Sequence, residues 1–226
     1  MTTTTEAMRG ELLARWHRVV DDALWATPAA LGLGADLVDR YSERHRHYHD
    51  ASHLVAVLTA LDELAAPHEP SVEVRLAAWF HDAIYSGTAG VDEERSAELA
   101  AQRLSEVGAD DRSIEQVRAM VLATAGHIAS DADADDGAGP DLDTALLLDA
   151  DLSILGAPGT TYDAYARGVR AEHAHVSDER FATGRIAALR TLLGRPRLFH
   201  TDAGRQRFDA TARANLRREL AALERS

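Results

Sequence analysis

The chain has no cysteine among its 226 residues. This excludes disulfides, thiolate nucleophiles, iron–sulfur clusters and thiolate zinc sites together, so any metal must be held by nitrogen and oxygen. Long apolar runs are missing as well. Nothing approaches the roughly 20 residues of a membrane span, and Met1–Glu6 lacks the basic and apolar segments of a signal peptide. A cytoplasmic protein with no membrane partner is expected. Cations are in the minority: 24 Lys and Arg against 37 Asp and Glu leave a formal charge of -13. That balance speaks against a long nucleic acid as partner, because such binders present a basic face. A compact anionic substrate stays compatible where cations are concentrated locally. Sustained period-two alternation of β-branched residues is absent too, which predicts an all-α fold.

What is present is helical periodicity around one core. With 46% hydrophobic residues the chain can form a single domain over residues 1–226, without internal repeats or a linker. Apolar spacing predicts helices over Glu11–Trp25, ended by Thr27-Pro28, and over Ala35–Arg44, Ser52–Leu64 and Ser71–Ala83, the last with Ser71 as N-cap. Further helices are predicted over Asp92–Val107, Ser113–Gly126, Leu142–Leu155, Tyr162–Glu172, Asp178–Leu193 and Thr201–Leu223. The acidic stretch 130–141 is not a calcium loop, since the twelfth position from Asp131 is Leu142 and not a bidentate Glu. It reads as a solvated loop.

The chemistry is concentrated in three segments. Arg46–His53 contains His47, His49 and His53. The last two are four apart ahead of an apolar stripe, so the spacing puts them on one face of a helix. His81-Asp82 closes the apolar run Val74–Phe80, and Asp149-Ala-Asp151 is embedded in Leu146–Leu155. Imidazoles and carboxylates in such runs are costly unless paired or bound to a metal. Nitrogen and oxygen ligands converging from different elements suit a divalent cation: manganese, magnesium, iron, cobalt, nickel or zinc. Arg46, one turn or less before His49, is a substrate-binding candidate for a compact anionic group.

The motifs Arg46-x-Tyr48-His49-x-x-x-His53, His81-Asp82, Glu93-x-x-Ser96-Ala97, Thr124-x-x-His127, Asp149-Ala-Asp151-Leu152 and Ala212-Arg213-x-Asn215-Leu216 occur in this order. Together they resemble the HD-domain superfamily of predicted metal-dependent phosphohydrolases. They cover most of the chain after residue 40, with Asp92 where the group commonly has Asn. The resemblance implies an HD-type helical bundle, its metal-site core at about 40–156 and a helical C-terminal extension packed on it. It implies metal ligands His53, His81, Asp82 and Asp151, with His49 and Asp82 in catalysis, His49 as the proton donor. Asp151 is preferred over Asp149 because related phosphodiesterases place their ligand just before Leu-Ser. Glu93, Asp149 and His127 are then supporting groups or ligands of a second metal, and for His127 a simple helix C-terminal role is equally open. The implied activity is hydrolysis of a small phosphorylated metabolite, with a nucleotide as the leading candidate. The alternatives are a di-iron oxygenase of the same superfamily and a non-catalytic metal- or ligand-binding domain.

Overall fold

The computed structural model describes residues 5–23, 25–126 and 141–225. Every regular element among them is helical, and no helix is long and apolar enough to cross a membrane. The chain is all-α. Helix α1 (Glu6–Asp22) is followed by α2 (Pro28–Tyr41), whose N-cap Thr27 accepts a hydrogen bond from Ala30 N at 3.1 Å. Thr27-Pro28 thus opens α2, where the sequence reading had it closing α1. The hydroxyl satisfies an orphan amide, and proline in the first turn lacks only a donor that the helix does not use.

Helix α3 (Ala51–Ala65) starts later than the histidine spacing implied. Asp50 is its N-cap, in extended conformation, and accepts from Ser52 N at 2.8 Å and His53 N at 3.4 Å. His53 therefore lies on the helix and His49 precedes it, so the two do not share a helix face. Helix α4 (Val72–Phe80) is capped by Ser71 as expected and ends with His81 as C-cap. Then come α5 (Val91–Val107), α6 (Asp111–Ala123) and α7 (Leu142–Asp151), the last running into a 3-10 turn, Leu152–Gly156. Helices α8 (Gly159–Glu172) and α9 (Asp178–Gly194) precede a helical turn, α10 (Asp202–Gly204). A π-helical turn, Arg205–Asp209, continues it into α11 (Ala210–Leu223).

The buried faces form two apolar clusters. The larger is built by α1–α7, with Trp16, Tyr41, Leu54, Leu61, Trp79 and Phe80 among its members. Trp16 and Trp79 meet edge to face at 5.2 Å, and Trp16 Nε1 donates to Ala30 O at 2.8 Å. Each such side chain contributes about 1.5–3 kcal/mol on burial. The smaller cluster joins the 3-10 turn, α8, α9 and α11 through Leu155, Tyr162, Leu189, Phe199 and Leu216, and Phe208 packs against both. A polar anchor holds the smaller cluster together. Asn215 Nδ2 donates to Leu155 O and Ala157 O, each at 2.9 Å, tying α11 to the segment just after Asp151. At Gly168 of α8 a Cβ would lie 2.8 Å from His47 O and 3.0 Å from the Tyr48 Cβ. Only glycine allows α8 to approach residues 47–48 so closely, and that approach positions the site.

Candidate metal and acid–base site

The end of α4, the first turn of α3 and the end of α7 meet at one place in the interior. The Nε2 atoms of His53 and His81 are 3.2 Å apart. Asp82 Oδ2 lies 3.3 Å from His81 Nε2 and 3.5 Å from His53 Nε2. Asp151 Oδ1 lies 3.3 Å from His53 Nε2 and 3.7 Å from His81 Nε2. The two imidazoles are almost fully buried and the two carboxylates are mostly so. Their surroundings explain why chain-local spacing was a poor guide. His81 is the C-cap and Asp82 follows in a turn, so both reach the same centre instead of diverging around a helix.

The separations among His53, His81 and Asp82 fit a shared cation, and Asp151 lies beside that group, within reach of the two imidazoles. Ligand bonds of about 2.0–2.2 Å in tetrahedral or octahedral arrangement separate neighbouring ligand atoms by roughly 2.8–3.6 Å. All the distances except the 3.7 Å one fall in that range. His81 Nδ1 lies 2.8 Å from Ala78 O, which fits donation to that carbonyl and leaves Nε2 facing the cluster. Burial pushes the His53 imidazole down, yet its hydrogen bonds to Asp151 and Asp82 outweigh burial and hold it at about 10. His81 is raised against burial by Asp82, and Asp82 is held well below the usual carboxylate range, against its own burial, by His81 and His53. The cluster thus demands positive charge at its centre, which protons supply when no metal does.

His49 is held by a different device. Its Nδ1 lies 2.8 Å from Glu172 Oε2, which also accepts from the Tyr85 hydroxyl at 3.0 Å. The other oxygen, Oε1, accepts from three successive backbone amides, His47, Tyr48 and His49, at 2.8, 2.8 and 2.9 Å. Although burial raises it, these bonds hold the Glu172 carboxyl at about 2. The His49 ring stacks on Tyr85 at 4.2 Å and stands edge-on to Tyr48 at 4.8 Å, with its centroid 5.6 Å from that of His53. Sequence reading passed over Glu172, although one signal marks it. An acidic residue ending a helix opposes the helix dipole, so it is stable there only with partners from elsewhere.

The remaining sequence candidates fall outside the cluster. Arg46, expected at a phosphate, borders neither of the two cavities beside the cluster. Its Nη1 donates to His49 O at 2.9 Å and Asp82 O at 2.8 Å, and Nη2 donates to Ala83 O at 3.2 Å. It clamps the backbone of one site segment to the other, and its guanidinium lies over Tyr41 and Tyr85. Asp149 faces away from the cluster as a capping group, accepting from His200 N, Thr201 N and Thr201 Oγ1 at 2.6, 2.8 and 2.6 Å. Glu93 accepts from Gly90 N at 2.5 Å and so caps α5, while also bordering a cavity. Asp92 accepts from Ser86 N and Thr88 N and fixes the loop after Asp82. His127 lies outside the described residues.

Two cavities open beside the cluster. One, of about 280 Å³, is bordered by His49, Asp82, Tyr85, Glu93 and Thr124. The second, of about 740 Å³, is bordered by His53 and by mostly apolar groups. Tyr48, Asp151, Ile154 and Tyr165 border both and form the partition. Comparison with protein-family models, with curated proteins and with solved structures finds no match for this chain.

Asp149, Asp151 and Glu172 are told apart by two measurements. Asp149→Ala leaves three donors unsatisfied and lowers stability by about 3 kcal/mol in urea unfolding, while the folded protein still binds manganese. Asp151→Ala loses the manganese, measured by equilibrium dialysis, and the opposite pattern refutes the assignment. For Glu172, a folded value of about 2 against an ordinary 4.5 means stability present above the ordinary value and lost as pH falls from about 4.5 towards about 2. Glu172→Gln removes that part of the acid dependence and costs roughly 3 kcal/mol at neutral pH. Urea melts at pH 7, 4 and 3 check it, and an acid dependence identical to wild type contradicts the role.

Proposed function

We propose that this chain is a metal-dependent phosphohydrolase of the HD type, acting on a small phosphorylated metabolite, with a nucleotide as the candidate that the resemblance suggests. The observation that carries the reading is the pairing of two different devices. Three side chains that could ligate a cation, His53, His81 and Asp82, converge at distances suited to one, with Asp151 at 3.3 Å from His53 Nε2, and beside them stands a histidine held by a carboxylate. A cluster made only to store a metal has no use for the second device.

A divalent cation held by His53, His81, Asp82 and Asp151 would supply Lewis acidity, acidifying a water and polarising a phosphoryl oxygen. His49 serves the other end of the reaction: Nδ1 is engaged by Glu172, and Nε2 carries the proton to the leaving oxygen. Glu172 stays ionised, stabilises the imidazolium and fixes the ring plane together with Tyr85. Arg46 keeps His49 and Asp82 in register through their carbonyl oxygens. Both cavities have the dimensions of small-molecule sites, and a net charge of -13 repels long polyanions. The di-iron alternative needs a second set of ligands. Among the described residues the group of His and acidic side chains with metal-binding geometry is His53, His81 and Asp82.

The experiment is a screen of phosphate monoesters, nucleotides and pyrophosphates with manganese, magnesium, cobalt, nickel, iron and zinc, repeated on two variants. His49→Ala retains the ion and loses roughly 10²–10⁴-fold in turnover, whereas His53→Ala loses ion and turnover together. Equal metal loss in both variants, or no hydrolysis by wild type under any of these ions, refutes the reading.

A further inference from the structure

We propose that the 740 Å³ cavity receives an apolar alkyl or aryl body of the substrate, whose single phosphate lies at the His/Asp cluster. This rests on the phosphohydrolase reading above and narrows its substrate class. The cavity is continuous with the site, since His53 and Asp151 are part of its wall. Its apolar surface is supplied by separate elements: Val57 and Ala60 of α3, Ile154 of the 3-10 turn, Ala164 of α8 and Phe208 of the π-helical turn, while Ser52, Thr59, Glu63, Ser153, Thr161 and Arg207 bring polar groups to the rim. Small methyl-bearing side chains leave the space, and Phe208 and Tyr165 give it ring surfaces. A ligand group entering there gains by leaving water, in proportion to its apolar area.

Charge argues against a di- or triphosphate. The chain contains no lysine. Among the described residues lining the two cavities the sole guanidinium is that of Arg207, which already pairs with Glu63 at 2.6 Å. A polyphosphate would bring several negative charges to walls that also carry Glu63, Asp82, Asp92, Glu93 and Asp151. One phosphate, neutralised at the cluster, is what these walls accommodate. The Tyr48 and Tyr165 rings, edge to face at 4.6 Å, stand between the two chambers. Tyr165 is held in turn by Arg185, which donates to its hydroxyl at 3.1 Å and is itself paired with Glu219. A built partition of this kind separates a polar reacting end from an apolar body.

The test uses n-alkylphosphonates from ethyl to octyl, which carry the anionic head and resist hydrolysis, titrated calorimetrically into the full chain loaded with zinc. Affinity is expected to rise about fourfold for each added methylene until the chamber is full. Ala164→Trp, which puts an indole into the chamber, is expected to make that series level off at a shorter chain. In parallel, kcat/KM for the matching n-alkyl phosphates is expected to rise with chain length. A flat series in wild type, with short phosphate esters nevertheless hydrolysed, overturns the apolar chamber and leaves the phosphohydrolase reading standing. Mononucleotides bound more tightly than octylphosphonate overturn it also. A rising phosphonate series with no ester cleaved under any divalent ion overturns the substrate role through the phosphohydrolase reading instead.

Discussion

Ionisable groups cannot be taken into an apolar interior singly, and that constraint organises this molecule around His53, His81, Asp82 and Asp151. Each of these side chains loses hydration worth several kcal/mol on burial. Two carboxylates recover it only if two charges of opposite sign stand among them. Partly protonated imidazoles provide this, and a divalent cation provides it with fixed directions as well. The same low-dielectric surroundings that make the cluster costly when unbalanced strengthen its interaction with an ion. A buried apolar setting is therefore part of the site's chemistry and not merely its container.

Holding such a cluster places demands on residues that never touch it. Arg46, Glu172, Asp149 and Asn215 are all polar side chains that bind main-chain atoms. Each fixes a segment that carries or borders a site residue: the turn at Asp82, the bend at His47–His49, the segment at His200–Thr201 held by Asp149 of α7, and the turn after Asp151. Main-chain anchoring fixes backbone position with few degrees of freedom left, as the proposed catalytic role would require. Gly168 serves the same end through absence, since any side chain there would hold α8 away from residues 47–48.

How much of this could be read from the chain follows from where the information resides. Helical periodicity is local, so the helices and their order were legible, and Ser71 announced its own cap. Polar residues inside apolar runs are also visible locally, which is why His81, Asp82, Asp149 and Asp151 stood out. Whether such a residue ligates or anchors depends on contacts far along the chain. Asp149 and Asp151, two apart, face different partners, and Asp149's lie about fifty positions away. Arg46 was read by its nearness to His49, while its role is set by carbonyl groups of residues 82 and 83. Glu172 is separated from His49 by 123 positions, and no local pattern joins them. Thr27-Pro28 failed for a smaller reason, because the pair both ends and begins helices.

The central claim is that four side chains from three helical segments hold one divalent cation. X-ray absorption of the zinc-loaded chain tests it most directly, since it reads the atoms around the ion. The account predicts one zinc per chain with two imidazole nitrogens and carboxylate or water oxygens at about 2.0–2.2 Å. Outer-shell scattering from fewer than two imidazoles, or zinc bound well below one per chain, would contradict it.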